Sequence, residues 1–158
     1  MHHTLLAYLA GAVDSDGTIG IKRSTYAMRV RGDAGAPVYS ERVALRQVTN
    51  HIVVMLRRAF GGSVYMTKPS APRGRPLFSW AATDLRAVAC LRAIMPYLRV
   101  KREQARNCLV LRRLKEQSKR HKVRRGRGHE GSAPRPKWLT HRLELRYLRA
   151  KRLNRVGV

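Results

Sequence analysis

Two carboxylates and a glycine stand together at the end of the apolar run Leu5 to Gly17, LLAYLAGAVDSDG: Asp14, Asp16 and Gly17. A carboxylate fixed at the end of a helix suits a hard divalent cation. Such a cation in turn suits a phosphodiester, because it neutralises the phosphate and makes a bound water more acidic. The placement is otherwise unfavourable: an acid at a helix C-terminus meets the negative end of the macrodipole, at roughly 0.3–1 kcal/mol each unless a cation compensates. On a 3.6-residue period Ala7, Gly11 and Asp14 share one side with Ala10 beside them, while Leu6, Leu9 and Val13 take another. The nearly flat Ala/Gly side lets a second helix approach more closely than the usual ~8–10 Å between axes, so it is a candidate helix-to-helix seam. Gly17, where a positive φ is easy, then turns the chain into the β-like run Thr18-Ile19-Gly20-Ile21. The plainer alternative is an ordinary first helix followed by an Asp-Gly turn.

The elements that must position these groups read as follows. Thr18 to about Arg31 and Val38 to Thr49 form two antiparallel strands around the turn-rich Gly32-Asp33-Ala34-Gly35-Ala36-Pro37. Alternation turns Val43 and Leu45 one way and Arg42, Ala44 and Arg46 the other; Ile19 and Ile21 take the core side, leaving Gly20, Lys22 and Ser24 outward. Beyond Tyr26 the parity blurs, and Arg29 and Arg31 join one face only through a bulge. Asn50 to Phe60 is a helix ended by Gly61-Gly62, with Ile52, Val53, Leu56 and Phe60 inward. Ser63 to Lys68 and Leu77 to Ala82 make a second hairpin whose Pro-rich loop carries Arg73 and Arg75. Asp84 fits a helix cap, and a helix continues through Leu85, Val88, Ala89, Leu91, Arg92 and Met95 to Pro96. Val100 to Gln117 is the next helix, apolar at Ala105, Cys108, Leu109, Leu111 and Leu114. The expected domain is therefore α+β, an αββαββα arrangement with one saddle-shaped antiparallel sheet.

Charge points to the partner. The 158 residues carry a formal net charge of +25, of which +9 falls in residues 1–100 and +16 in residues 101–158. Such a field favours a polyanion, nucleic acid above all. Lys22, Arg42, Arg46 and Lys68 on one sheet face suit a β-ribbon in the major groove of double-stranded DNA. We expect residues 1–117 to form the domain, 118–137 a flexible basic linker, and 138–158 a C-terminal amphipathic helix with Leu139, Leu143, Leu145 or Arg146, Leu148 and Leu153 in phase, which docks on the domain or lies along DNA. Cys90 and Cys108 read as reduced core thiols, and His121, His129 and His141 lack cysteine partners at metal spacing. No apolar run reaches the ~18 residues of a membrane span and no signal segment opens the chain, so no membrane partner and a cytoplasmic location are expected, with an organelle or phage origin open.

The run Leu9-Ala10-Gly11-Ala12-Val13-Asp14-Ser15-Asp16-Gly17 resembles the signature of the LAGLIDADG homing endonucleases, identical at six of nine positions. The resemblance implies a single-motif, homodimeric enzyme whose signature helices pack about a two-fold axis, with Ala7, Ala10, Gly11 and Asp14 in the interface. It implies that Asp16 binds Mg²⁺ (or Mn²⁺) at the scissile phosphate, that the backbone carbonyl of Ser15 also ligates metal, and that Asp14 is mainly structural. Later segments extend the match over about residues 5–115. Arg46-Gln47-Val48-Thr49 resembles the segment in which the family places a glutamine that orders water, here Gln47. Phe60-Gly61-Gly62 resembles a helix-to-strand junction and Phe78-Ser79-Trp80 the fourth strand. The run from Pro96 to Ala105 places Lys101 on the family's active-site lysine. A basic residue common shortly after the glutamine has no clear counterpart, since His51, Ile52, Val53 and Val54 occupy that region; Asn50 or His51 would have to substitute.

The expected function is a sequence-specific endonuclease that cleaves a long pseudo-palindromic DNA site, with DNA contacts from Lys22, Ser24, Arg29, Arg31, Arg42, Arg46, Lys68, Arg73 and Arg75 and catalytic roles for Asp16, Gln47 and Lys101. The alternatives are an RNA-binding intron maturase or a non-cleaving DNA-binding regulator on the same fold. A ribosome-associated basic protein would explain the charge but leave the carboxylates idle.

Overall fold

A computed structural model describes residues 2–24, 37–69, 74–120 and 136–155, with backbone alone for 118–120. Along them run α1 (His3–Asp16), β1 (Gly17–Ser24), β2 (Val38–Gln47), α2 (His51–Phe60), β3 (Ser63–Thr67), β4 (Leu77–Thr83), α3 (Asp84–Ile94), a 3-10 turn (Met95–Tyr97), α4 (Arg102–Arg120) and α5 (Lys137–Arg155). The four strands form one antiparallel sheet in the order β1-β2-β4-β3, which gives the expected α+β class. The expected extension of the first strand to Arg31, including Arg29, lies outside the described residues, as do Arg73, most of the basic stretch after α4, and the last three residues.

Side-chain alternation decides which way the sheet faces. Ile19 and Ile21 on β1, Tyr39, Val43 and Leu45 on β2, and Trp80 and Ala82 on β4 are buried on one side, against α1, α2, α3 and α4. The opposite side carries Thr18, Lys22, Arg42 and Arg46, all exposed. Since a one-residue slip would exchange the two faces, the pairings Gly17 with Leu45 and Ile19 with Val43 fix which side meets solvent.

Two glycines are required by contact. A Cβ on Gly62, which has φ +94°, would lie 2.6 Å from the carbonyl oxygen of Ala81 in the neighbouring strand. At the same junction Trp80 Nε1 donates to Gly61 O at 2.7 Å, tying α2 to the sheet. At Gly17 the expected positive φ is absent: φ is −82°. What requires glycine there is space, because a Cβ would sit 2.6 Å from Val13 O on the last turn of α1.

Two helices depart from their expected phase. On α3 the buried residues are Ala87, Val88, Cys90, Leu91 and Ile94, while Leu85 is 66% exposed. Asp84 does not cap α3: its carboxylate accepts from Lys115 Nζ at 2.9 Å and Arg112 at 3.5 Å, and its φ is +51°. Burial pushes the Asp84 carboxyl up, but the hydrogen bond and charge of Lys115, with Ser40 and Arg112, outweigh it and leave it below its ordinary value. On α5, Leu139, Leu143 and Ala150 join the core while Leu145 and Leu148 remain exposed.

The sequence pattern also conceals an ion network. Glu41, on the core side of β2, is fully buried and accepts from Arg112 of α4 at 2.6 Å and from Lys115 at 3.1 Å. Glu41 Oε1 and Arg112 Nε are buried without a hydrogen-bond partner among the described residues. Cys90 and Cys108 are free and buried, and burial pushes both thiols up to about 12. Cys108 donates its thiol to Gly20 O of β1. No helix among the described residues is long and apolar enough to cross a membrane.

Candidate active site

The last turn of α1 is held from both sides by the segment between the 3-10 turn and α4. The Asp14 carboxylate accepts the backbone N–H groups of Arg99, Val100 and Lys101 at 2.5, 3.2 and 2.9 Å. In return the Lys101 ammonium donates to the carbonyls of Val13, Asp14 and Ser15. This is the cation that two acids at a helix C-terminus call for. Partial burial lowers the Lys101 pKa from its ordinary value, while the charges of Asp14 and Asp16 oppose that shift.

Asp16 faces solvent beyond this clamp. Antiparallel pairing of Gly17 with Leu45 carries the end of α1 to the end of β2, where Gln47 Nε2 donates to Asp16 Oδ2 at 2.6 Å. The site therefore gathers an exposed carboxylate, an amide that fixes one of its oxygens, a backbone carbonyl at Ser15 and an ammonium 3.1 Å from that carbonyl. Among the described residues no cluster of three or more His, Cys, Asp or Glu side chains could hold a metal by itself. What one chain offers is a pair of hard oxygen donors, suited to an ion that keeps most of its waters.

From Asp16 a cleft of about 450 Å³ runs along the outward face of the sheet past Thr18, Gly20, Lys22, Arg42 and Arg46. Its wall beyond β1 comes from Ala150, Lys151 and Asn154 of α5.

No family model matches the sequence, and no curated protein matches it. Solved structures do. The homing endonuclease I-CvuI, crystallised with the I-CreI target in the presence of Mg, matches with a TM-score of 0.66 at 18% identity over 94% of this chain and 80% of that one. The homing endonuclease I-TnaI matches at 0.55 and 14% identity, over 95% of this chain and 93% of its own. Against the meganuclease I-SmaMI, bound to uncleaveable DNA, the TM-score is 0.60 at 14% identity, over 90% of this chain but only 43% of that longer one. The chain has the LAGLIDADG homing endonuclease fold.

Within the LAGLIDADG fold, the signature run occupies α1 and its exit into β1, and the structure brings Ser15, Asp16, Gln47 and Lys101 together. Lys22, Arg42 and Arg46 share the exposed sheet face with partly exposed Ser24 at the end of β1, and Lys68 and Arg75 are exposed beside β3 and β4. Arg29, Arg31 and Arg73 lie outside the described residues. Two of the four residues expected at a seam are engaged within the chain. Ala10 is fully buried in its own chain's core, and the Asp14 carboxylate is engaged by residues 99–101, so neither presents its side chain to a partner. The exposed stripe is instead Thr4, Ala7, Tyr8, Gly11 and Ser15; Tyr8 is 50% exposed, and a Cβ on Gly11 would meet nothing within 4 Å.

Sequence reasoning missed three contributors to the outward face. Tyr65 pairs across to Ser79, which in turn stands opposite Arg46, and its ring is 44% exposed. Alternation in Ser63-Val64-Tyr65 was the available signal. Lys151 and Asn154 had none, because only tertiary packing carries the end of α5 to the cleft.

Proposed function

We propose that this protein is a sequence-specific endonuclease of the homing type, which hydrolyses phosphodiester bonds of duplex DNA as a two-fold pair with Mg²⁺ or Mn²⁺. The observation that carries the reading is Asp16: an exposed carboxylate where the bare stripe of α1 meets the end of a basic sheet face. The neighbours support it. I-CvuI was crystallised with DNA in the presence of Mg in one structure and Ca in another, and I-SmaMI and I-CeuI were crystallised with DNA.

The donor set fits a hard divalent ion. The Asp16 carboxylate and the Ser15 carbonyl are both oxygens, and the second Asp16 oxygen has no hydrogen-bond partner among the described residues. When bound, such an ion supplies Lewis acidity at the phosphate. The rest of the work falls to the chain. Gln47 holds the exposed Asp16 carboxylate by one of its oxygens, Oδ2. Lys101 offsets the negative helix end and the acids, and brings positive charge to a place where charge builds on a phosphate undergoing attack. Lys22, Arg42 and Arg46 hold the duplex by phosphate and base-edge contacts. One Asp16 per chain is half of what a double-strand cut needs, so pairing through Ala7, Tyr8 and Gly11 supplies the second copy and makes the target pseudo-palindromic.

Incubation of a randomised plasmid library with protein and Mg²⁺, beside Asp16→Asn, tests the reading. Linear products that require Asp16 support it. Splicing assistance for a bound RNA without any DNA cleavage would favour the maturase alternative, and absence of both would remove nucleic-acid processing.

A further inference from the structure

α5 does not stop at the core. Leu139 and Leu143 anchor its first half among the buried residues, and Asn107 of α4 donates to Arg146 O at 2.9 Å. Glu144 pairs with Arg23 at 3.4 Å and accepts from the Tyr39 hydroxyl, so the helix is tied to both β1 and β2. Its last turns then reach the outward side of the sheet. Gly20 belongs to that side by alternation, because Ile19 and Ile21 on either side of it are buried. A Cβ built on Gly20 would lie 3.1 Å from Asn154 Nδ2. Lys151 and Asn154 therefore line the same cleft as Asp16, Lys22, Arg42 and Arg46, and both are exposed.

We propose that the C-terminal turns of α5 are a DNA-reading element, in which Lys151 holds a phosphate and Asn154 addresses a base edge beside the site of cleavage. The inference rests on the duplex-DNA reading above. An ammonium on the wall of a basic cleft is a phosphate contact with no sequence content. A carboxamide presents a donor and an acceptor side by side, the pair that matches the major-groove edge of adenine. Glycine at position 20 gives the amide room to enter from outside the sheet. Position 20 thereby couples to α5: a Cβ there makes the Asn154 amide give by a few tenths of an ångström, and a branched side chain takes up the space the amide enters.

The test uses the full-length chain, a library of randomised duplex oligonucleotides and Ca²⁺ in place of Mg²⁺, with bound sequences read after selection. The wild-type chain should enrich a motif. Asn154→Ala and Gly20→Val should both relax the preference at the same position of each half-site, with the rest of the motif unchanged. Lys151→Ala should leave the motif intact, weaken binding to all sequences alike, and reduce the slope of log affinity against log salt by about 1. Arg113→Ala, an exposed α4 arginine outside the cleft, controls for the loss of one charge and should leave the slope nearly unchanged. An enriched motif that is identical in wild type, Asn154→Ala and Gly20→Val, with an unaltered slope for Lys151→Ala, would overturn the role of α5 and leave the endonuclease reading standing. Tighter binding by Lys151→Ala or Asn154→Ala would also overturn it, by showing that α5 shields the groove. A wild-type chain that enriches no motif would remove sequence-specific DNA reading, and this inference with it.

Discussion

Asp14 and Lys101 cap each other's helices. The carboxylate of Asp14 takes the N–H groups of residues 99–101 ahead of α4, and the ammonium of Lys101 takes the last carbonyls of α1. Two opposed helix termini thus neutralise one another at the point where Asp16 leaves the fold, and the clamp sets the position of Asp16 without touching it. Asp14→Ala should cost about 1–3 kcal/mol, the range of a hydrogen-bonded charged group. Lys101→Met should cost a similar amount, and the double variant clearly less than the sum. Urea denaturation of the four proteins measures the coupling.

Gln47 donates to the Asp16 carboxylate, proposed above as a metal ligand. Gln47→Ala should reduce cleavage by about ten- to hundred-fold, the usual loss when the residue orienting a metal ligand is removed. DNA affinity measured in Ca²⁺ should be unchanged, because the amide is already taken by Asp16 Oδ2. An equal loss in affinity and cleavage would make Gln47 a DNA-binding residue.

α5 is part of the core. Leu139→Ala and Leu143→Ala should each cost about 2–5 kcal/mol. Limited proteolysis should then cut within α5 in either variant faster than in the wild type. The same burial means that removing residues 118–158 would strip core side chains along with basic ones, so the salt dependence of DNA binding is better read from single exposed residues such as Lys151.

The Glu41–Arg112 pair lies wholly inside. Glu41→Leu alone should cost about 3–5 kcal/mol by leaving Arg112 buried with only its longer, 3.5 Å contact to Asp84. Adding Arg112→Leu should restore much of that, a pattern that differential scanning calorimetry will resolve.

Asp84 supplies a pH signature. Its folded carboxyl lies below its ordinary value of 3.8, so its contribution is complete above pH 3.8 and is lost as the pH falls through the folded value. The stability difference between wild type and Asp84→Asn should be constant above pH 3.8 and shrink below it, which an acid series of denaturation curves will show.

The parts of the molecule written in local pattern were legible. Alternation placed Ile19, Val43 and Leu45 inside and Arg42 and Arg46 outside, and the Gly61-Gly62 pair marked the end of α2. Errors arose where a residue's partner is distant in the chain. Asp84 read as a cap because cap residues are recognised by neighbours, whereas its partner Lys115 comes from α4. Ala10 read as part of a seam because a small residue looks alike toward a core and toward another subunit. Glu41 carried no local signal of its burial, since nothing around it names Arg112.

The two native thiols bear on how the proposed pairing can be tested. With both sealed in the core and pushed up to about 12, neither Cys90 nor Cys108 will react at neutral pH in the folded state. A Gly11→Cys variant, placed where a Cβ meets open space, would then carry the sole accessible thiol. Oxidation should staple two subunits covalently through α1, so that a reducible band of twice the chain mass on a gel becomes a direct ruler for the spacing between the signature helices.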